Sequence, residues 1–484
     1  MPPRFKELYK PRPTNRDVRQ RRLSHENQLR RLQREQVFMG KRLRFRTPQE
    51  SETESEYEFT PSDTTEIICG LKSANHDERV SALATLSTKL EQPSEELRKF
   101  VLQGECIDML SGILNGTDGE EKLQSLWCLT NIAAGEAQMA ERALAVAPYL
   151  LSLMGSDSVE LQNQAIWALG NLAAEGANAR EQLNANGVLD PLAAVVSTTT
   201  DAMILQTACF ALSNMARKPC SYFARLFELG VPQAVAQQLQ AFRTEPDCVA
   251  ELAWVCTYLT ASSSAEQVDQ VLASGAVATL VECAVRADDM PSATLIPIIR
   301  TLGNIAAGTD EQTHALVAAP GFVALLVQGI ERTSSRAVEK ESLWVLSSVT
   351  AARKDDVDAM VAAGVVTDLV RIIEKQNFDI KKEAAYSLLN IAIVGQRIHD
   401  LPNRELVREF VEFIGSQDDE LVRMGIQYVA LLFEHLPNRQ GPKLLGSVPG
   451  GIEALENQVA VTDDDDTRHL VSALIDDYYA ELTL

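Results

Sequence analysis

The feature that most limits the fold is an internal repeat whose period varies between 40 and 46 residues. The stretches QSLWCLTNIAAGE (124–136) and QAIWALGNLAAEG (164–176) each place a Trp four residues before an Asn. This Trp and Asn pattern and a second marker, a turn Gly, recur with the same period, which indicates a repeat architecture. Positions equivalent to the Asn are 131, 171, 214, 258, 304, 348 and 390, and a Gly precedes an apolar segment in phase with them at Gly187, Gly230, Gly275, Gly321 and Gly364.

Each repeat has the pattern of amphipathic helices. Leu126, Leu129, Ile132 and Ala133 form one apolar stripe at helical spacing. A single unit of this size cannot bury its apolar face alone, so neighbouring units must stack. A period of this length with two or three helices is typical of armadillo and HEAT arrays. We therefore predict an all-α, right-handed superhelical armadillo-repeat solenoid of about ten repeats.

Charge divides the chain into unequal parts. Residues 1–46 contain fifteen Lys or Arg and four acidic residues, whereas the remainder contains 30 basic and 63 acidic residues. Such a division suggests that the basic end binds an acidic partner or folds back onto its own acidic body. The predicted domains are a basic arm (1–47), an acidic flexible linker (48–63) and the armadillo array (64–484).

The recurring Trp and Asn lie one helical turn apart, away from the apolar stripe. On the last helix of each repeat, they would form ladders along a concave groove. An Asn carboxamide can hold the backbone of an extended peptide, and neighbouring indoles can take the stems of Lys or Arg. Glu175, one turn beyond Asn171, would then meet a cationic tip. The alternative interpretation is structural: each Trp packs on the next repeat, and each Asn ties down a neighbouring segment.

The Trp-x-x-x-Asn pairs resemble those of the importin α family, the armadillo adaptors of nuclear import. The arm RFKELYKPRPTNRDVRQRRLSHENQLRRLQREQVFMGKRLRF is similar to the importin-β-binding segment of that family. The resemblance implies three kinds of partner: importin β, proteins with basic nuclear localisation signals and a recycling exportin. It also implies that the arm can occupy the groove and inhibit it, and that the protein is a monomer in this autoinhibited state. It places the protein in cytoplasm and nucleus. The arm residues concerned are Arg19, Arg21, Arg22, Arg30, Arg31, Lys41, Arg42 and Arg44.

The resemblance also implies two peptide-binding sites. The major site would comprise Trp127, Asn131, Trp167, Asn171, Glu175, Phe210 and Asn214. The minor site would comprise Arg300, Asn304, Asp310, Glu341, Trp344, Ser348, Glu383, Tyr386 and Asn390. Trp254 and Tyr258 match the divergent middle repeats of the family. Ser348 and Tyr386 depart from the expected Asn and Trp, so the minor site is expected to be weakened.

Two stretches are also similar to a divergent branch of the family, that of transmembrane and coiled-coil domain protein six. They are REQVFMGKRLRF and the ending that contains ALLFEHLP and GGIEALE. No uninterrupted apolar run is long enough to span a bilayer, so we expect a soluble chain without a membrane partner.

Other functional classes have weaker support. No phosphate loop, GxSxG or HExxH motif is present, the eight cysteines lack a CxxC pair, and the six histidines are scattered. We therefore expect no enzyme, no catalytic residue, no cofactor and no metal. The arm has few aromatic residues for stacking on bases, and the acidic body would repel phosphate, so no nucleic acid is expected. Leu23, Leu29 and Leu32 are too few for the apolar seam of a coiled coil. A non-transport armadillo scaffold stays open as the alternative function.

Overall fold

The computed structural model describes residues 59–479, apart from short gaps at 92–94, 104, 262, 287–289, 332–334, 376–377 and 463–464. The predicted arm and most of the predicted linker lie outside the described residues. The described part of the chain is helical and has no β-strand. It divides into a first unit that ends at Cys283 and a second unit that begins at Ala284.

The first unit contains sixteen α-helices within its described residues, and the unit ends within the last of them. They are α1 (Pro61–Leu71), α2 (His76–Lys89), α3 (Glu95–Gln103), α4 (Cys106–Leu114), α5 (Gly119–Ala134), α6 (Ala137–Ala143), α7 (Ala147–Leu153), α8 (Val159–Glu175), α9 (Ala177–Ala185), α10 (Leu189–Thr198), α11 (Ala202–Met215), α12 (Phe223–Glu228), α13 (Val231–Ala241), α14 (Pro246–Thr260), α15 (Ala265–Ala273) and α16 (Ala276–Arg286).

The second unit continues the same pattern of helices. They are α17 (Ser292–Ala306), α18 (Asp310–Val317), α19 (Phe322–Glu331), α20 (Arg336–Thr350), α21 (Lys354–Ala362), α22 (Val365–Lys375), α23 (Phe378–Ile393), α24 (Arg404–Ile414), α25 (Asp419–His435), α26 (Gln440–Gly446), α27 (Gly451–Val461) and α28 (Asp465–Tyr479).

One long helix closes each repeat, and we call these the ladder helices. In the first unit α2, α5, α8, α11 and α14 pack on one another in sequence, and in the second unit α17, α20, α23, α25 and α28 do the same. The described residues thus contain ten ladder helices, as the repeat period predicts. The predicted apolar stripe of α5 is buried, with Leu126 and Ile132 0% exposed. The predicted all-α armadillo array is confirmed.

Local signals set the ends of the helices. The side chains of Asn75, Asp118, Ser158 and Asp201 accept hydrogen bonds from first-turn amides of α2, α5, α8 and α11. All five turn glycines predicted from the sequence have φ between +71° and +89°, a region that glycine enters without steric cost. A further glycine with positive φ, Gly450, lies in the tail.

The first helix begins earlier than predicted. Thr60 and Asp63 form a capping box, in which the Thr60 hydroxyl accepts from the Asp63 amide and the Asp63 carboxylate accepts from the Thr60 amide. Pro61 occupies the first turn, where its missing N–H leaves no unmade hydrogen bond. Among the described residues the helical array therefore begins at Pro61 rather than at residue 64, because Thr60 and Asp63 cap a helix.

Among the described residues, no single helix is long and apolar enough to cross a membrane. Two pairs, α15 with α16 and α18 with α19, reach that length and composition only together, and they are bent by 59° and 84° at their breaks.

Candidate functional site

The ladder helices of the first unit bring together the residues of the predicted major site. Consecutive ladder helices pack side by side, so residues about 40 positions apart in the sequence become neighbours. The pairs are Trp127 with Asn131 on α5, Trp167 with Asn171 on α8, and Phe210 with Asn214 on α11.

Two indoles of the predicted ladder are in direct contact. The ring centroids of Trp127 and Trp167 are 5.7 Å apart, with planes inclined by 70°. This edge-to-face arrangement is favourable for aromatic pairs. Trp127 is half-buried and Trp167 is 7% exposed. Glu175, the last residue of α8, is half-buried one turn beyond Asn171. These first-unit residues therefore have the neighbours that their spacing predicts.

The ladder asparagines donate hydrogen bonds across repeats, a role that the structural alternative anticipated. In each case the side-chain amide donates to a backbone carbonyl of the preceding ladder helix. The bonds run from Nδ2 of Asn131 to Ser87 O (2.9 Å), of Asn171 to Thr130 O (3.2 Å), of Asn214 to Gly170 O (3.3 Å) and, in the second unit, of Asn390 to Ser347 O (2.9 Å). Part of each carboxamide thus joins two repeats.

Unlike the amide groups, the side-chain oxygens of two ladder asparagines have no hydrogen-bond partner among the described residues. Asn171 and Asn214 are 0% exposed, and their Oδ1 atoms accept no hydrogen bond from any described residue. Buried polar atoms of this kind are costly when they are not satisfied. The donors of the two side chains are therefore engaged within the array, and their acceptor oxygens have no partner among the described residues.

Two aromatic rings lie directly on glycines of the preceding ladder helix. An ideal Cβ built on Gly170 would be 2.7 Å from Cδ1 and Cε1 of Phe210. An ideal Cβ built on Gly303 would be 1.7 Å from Cζ3 of Trp344. Both glycines immediately precede a ladder Asn, Asn171 and Asn304. The rings thus approach the helix backbone more closely than any side chain at these positions would allow.

An ion pair joins two residues of the predicted minor site. Arg300 on α17 donates from Nε and Nη2 to Oε1 of Glu341 on α20, at 3.1 and 2.9 Å. Both residues are 6% exposed. A carboxylate predicted to meet a ligand cation therefore already has a guanidinium beside it.

Other minor-site residues also make internal hydrogen bonds. The Ser347 hydroxyl donates to Oε2 of Glu383 at 3.2 Å, and the Ser348 hydroxyl donates to the Trp344 carbonyl at 3.1 Å. Ser348 therefore does not reach the preceding repeat as Asn390 does. Tyr386 is 8% exposed on α23. The predicted minor-site residues share one unit, but their polar groups are partly committed to each other.

The middle repeats have a different surface. On α14 the rings of Trp254 and Tyr258 stack, with centroids 6.2 Å apart and an interplanar angle of 27°. In the second unit Asn304 is half-buried on α17, and Asp310 is exposed at the first position of α18. On α14 a stacked aromatic pair thus takes the place of the Trp and Asn pair found on α5 and α8.

A charged cluster that the sequence did not reveal joins α2 to α5. His76 Nδ1 is 2.9 Å from Oε1 of Glu121, and Arg79 donates to the same oxygen from Nη2 at 2.6 Å. The hydrogen bond to Glu121 raises the pKa of His76, and the Arg79 guanidinium lowers the pKa of Glu121. His76, Asp118 and Glu121 are close enough to share a metal ion, but the guanidinium already occupies the Glu121 oxygen.

Most of the cysteines are buried in the helical array. All eight lie among the described residues, none of them forms a disulfide, and six are buried. Burial raises the pKa of Cys106 to about 12 and that of Cys128 well above its ordinary value. A thiol needs a lowered pKa to act as a nucleophile at neutral pH, so these two groups are suited to packing.

Known proteins resemble this chain over most of its length. Importin subunit alpha-9 of Arabidopsis thaliana is 28% identical over 423 residues, which is 83% of this chain and 80% of the relative. Importin subunit alpha-2 of Oryza sativa subsp. japonica is 28% identical over 422 residues, 83% of this chain and 78% of the relative. This chain is similar to importin α. The resemblance inferred from the Trp and Asn pairs is confirmed, and these relatives are importin subunits rather than enzymes.

Further comparisons support the fold. A HEAT-like repeat family matches residues 120–172, which include most of α5 and α8 and both of their Trp and Asn pairs. The crystal structure of an engineered protein superposes with a TM-score of 0.74 at 23% identity, and the match covers 86% of this chain and 98% of that protein. The similarity to the branch of transmembrane and coiled-coil domain protein six stays a prediction.

Proposed function

We propose that the protein is a nuclear import adaptor that binds Lys/Arg-rich nuclear localisation signals on the ladder helices of its first unit. The observation that carries the proposal is the run of aromatic and Asn pairs on three consecutive ladder helices of a chain similar to importin α. An extended peptide advances about 3.3 Å per residue, and packed helices lie about 8–10 Å apart. Each repeat therefore addresses two or three residues of the ligand.

The chemistry of the site fits a cationic, extended ligand. The aliphatic stem of Lys or Arg would lie beside the contacting indoles of Trp127 and Trp167, and Glu175 would attract the charged tip. Among the three ladder Asn residues of this site, Asn131 is half-buried, so its carboxamide is the one that a peptide backbone can reach. The acidic excess of the chain outside the arm raises the local concentration of basic segments. No residue of this site has to undergo a chemical reaction.

We place the ligand in the first unit because the two units differ in their polar groups. In the second unit Arg300 already pairs with Glu341, and Ser348 makes an intrahelical hydrogen bond. The expected ligand therefore carries one basic cluster, and a second cluster adds little affinity. Fluorescence anisotropy with peptides of one and two basic clusters tests this point, and a tenfold preference for two clusters would contradict it.

In this proposal the basic arm connects cargo binding to transport. Residues 1–47 would bind importin β, and the cluster around Lys41, Arg42 and Arg44 would compete with cargo when importin β is absent. The protein would then work in both cytoplasm and nucleus, as a monomer when autoinhibited. Deletion of residues 1–46 should tighten the binding of a basic peptide several-fold, and unchanged affinity would refute autoinhibition.

The proposal is tested by the affinity of a Lys/Arg-rich peptide for the full chain and for the chain without residues 1–46. Trp127→Ala and Trp167→Ala should each weaken binding about tenfold, and binding should weaken as salt rises, because the contacts are charged and partly exposed. Trp254→Ala is a matched control outside the three pairs. Tighter binding of an acidic or apolar peptide would favour the second candidate, a non-transport scaffold. The ion pair between Arg300 and Glu341 supports this second candidate, because it occupies a carboxylate that an import adaptor would offer to a basic ligand.

A further inference from the structure

We propose that Gly170 and Gly303 are positioning residues, which set where the aromatic rings of the next repeat lie and therefore whether the ladder can receive a ligand. The proposal rests on the proposed function, because the ladder is there the binding surface. Neither glycine touches a ligand in this account. Each acts through one ring, Phe210 in the first unit and Trp344 in the second.

Both glycines lie within helices, where glycine is an unfavourable residue. Relative to alanine it loses more conformational freedom on folding, so its presence within α8 and α17 needs a local reason. Neither residue has a positive φ that would require glycine. The reason must therefore be space, and the neighbouring rings identify it.

In the first unit, Gly170 makes room for Phe210. A Cβ at Gly170 would lie 2.7 Å from two ring carbons of Phe210 and 3.2 Å from Cα of Ala211. Carbon atoms in contact are separated by about 3.5–4.0 Å, so the ring would have to move by at least about 0.8 Å. The Gly170 carbonyl also accepts the hydrogen bond from Asn214. One backbone position therefore sets both members of the Phe210 and Asn214 pair.

In the second unit, Gly303 makes room for Trp344 in the same register. A Cβ there would lie 1.7, 2.3 and 2.6 Å from three carbons of the indole. The ring would have to move by at least about 1.8 Å to restore contact distance. Because Gly303 precedes Asn304 as Gly170 precedes Asn171, the same device occurs once in each unit.

The chain offers two glycines as matched controls in the first unit. A Cβ on Gly112 of α4 meets no atom within 4 Å, so Gly112→Ala changes helix propensity alone. A Cβ on Gly70 of α1 would lie 2.7 Å from Cβ of Ala82 on α2, in a contact that involves no aromatic ring and none of the three aromatic and Asn pairs. Gly70→Ala thus reports what a comparable steric clash does to stability without moving an aromatic ring.

The first experiment measures binding of a fluorescent Lys/Arg-rich peptide to the full chain and to each Gly→Ala variant, at a temperature where circular dichroism shows all of them folded. Gly170→Ala should weaken binding about tenfold. Gly112→Ala and Gly70→Ala should change it less than twofold, although Gly70→Ala lowers the thermal midpoint. If Gly170→Ala binds as tightly as Gly112→Ala, the proposal is wrong.

A double-mutant cycle decides whether Gly170 acts through the ring. In the Phe210→Ala background the ring that the new Cβ would displace is gone, so Gly170→Ala should add less than a twofold loss. This double variant also has the space to fold if the single variant does not. An undiminished tenfold loss in that background would overturn the assignment.

Trp344 provides a readout that needs no peptide. Gly303→Ala should shift the emission of Trp344, obtained as the difference from a Trp344→Phe background, and Gly112→Ala should leave it unchanged. If the wild-type chain binds no basic peptide while this shift occurs, the proposed function fails and the ring placement stands. If peptide binds but Trp344 emission does not respond to Gly303→Ala, the proposed function stands and the inference fails.

Discussion

Replacing Asn171 by Asp tests the hydrogen bond that joins α8 to α5. The two side chains have nearly the same shape, but an ionised carboxylate cannot donate to the Thr130 carbonyl, 3.2 Å from Nδ2. Two acceptors would then face each other at a position that is 0% exposed. Loss of a buried hydrogen bond that leaves a polar group unsatisfied costs about 1–3 kcal/mol, and a charged group costs more. We expect a loss of about 3 kcal/mol at pH 7.

The pH dependence of the Asn171→Asp variant has a defined sign. Burial beside a carbonyl disfavours the ionised form, so the pKa of the introduced carboxyl in the folded variant should lie above the ordinary Asp value of about 3.9. The destabilisation should therefore be present above the folded pKa and should diminish as pH falls and the carboxyl becomes a donor.

Urea denaturation followed by circular dichroism, at pH 7.5 and pH 5, measures both effects. Asn186→Asp is the matched control, because Asn186 is exposed and donates to Gln182 O at the end of its own helix. It should lower the free energy of unfolding by less than about 0.5 kcal/mol. Equal urea midpoints for the two variants at pH 7.5 would refute the view that the ladder Asn stabilises the stack.

Two further perturbations test the charged contacts. Arg300→Met should cost about 3–5 kcal/mol of stability in urea denaturation, because it removes the cation beside the buried Glu341 carboxylate, and adding Glu341→Gln should recover part of the loss; a double variant no more stable than the single one would contradict this. The raised pKa of His76 predicts a contribution that is present below about pH 6.5 and lost as pH rises through the raised value. Thermal midpoints of the wild type and His76→Gln at pH 6 and 8.5 measure this contribution, and equal pH dependence in the two proteins would exclude it.

Much of the array can be predicted from the sequence because the signals are local. The period, the apolar stripe of α5 and the turn glycines each depend on a few adjacent residues, and the structure confirms them. The pairing of Trp127 with Trp167 also follows, since equivalent positions on stacked helices must be neighbours. The start of α1 is harder to predict, because Thr60 and Asp63 are residue types that also occur in a polar linker.

The contacts between ladder helices could not be predicted in the same way. The partners of the Asn amides are backbone carbonyls, which every residue carries, so no side-chain pattern marks them. The approach of Phe210 to Gly170, and the pairing of Arg300 with Glu341, depend on the register between two helices about 40 residues apart in sequence. That register is a property of the packed stack.

A crystal structure of the chain without residues 1–46 in complex with a Lys/Arg-rich peptide tests the central claim most directly. We expect an extended peptide across α5, α8 and α11, with a basic side chain beside the indoles of Trp127 and Trp167. A peptide bound elsewhere, with the three aromatic and Asn pairs untouched, would contradict the assignment of these residues as the binding surface.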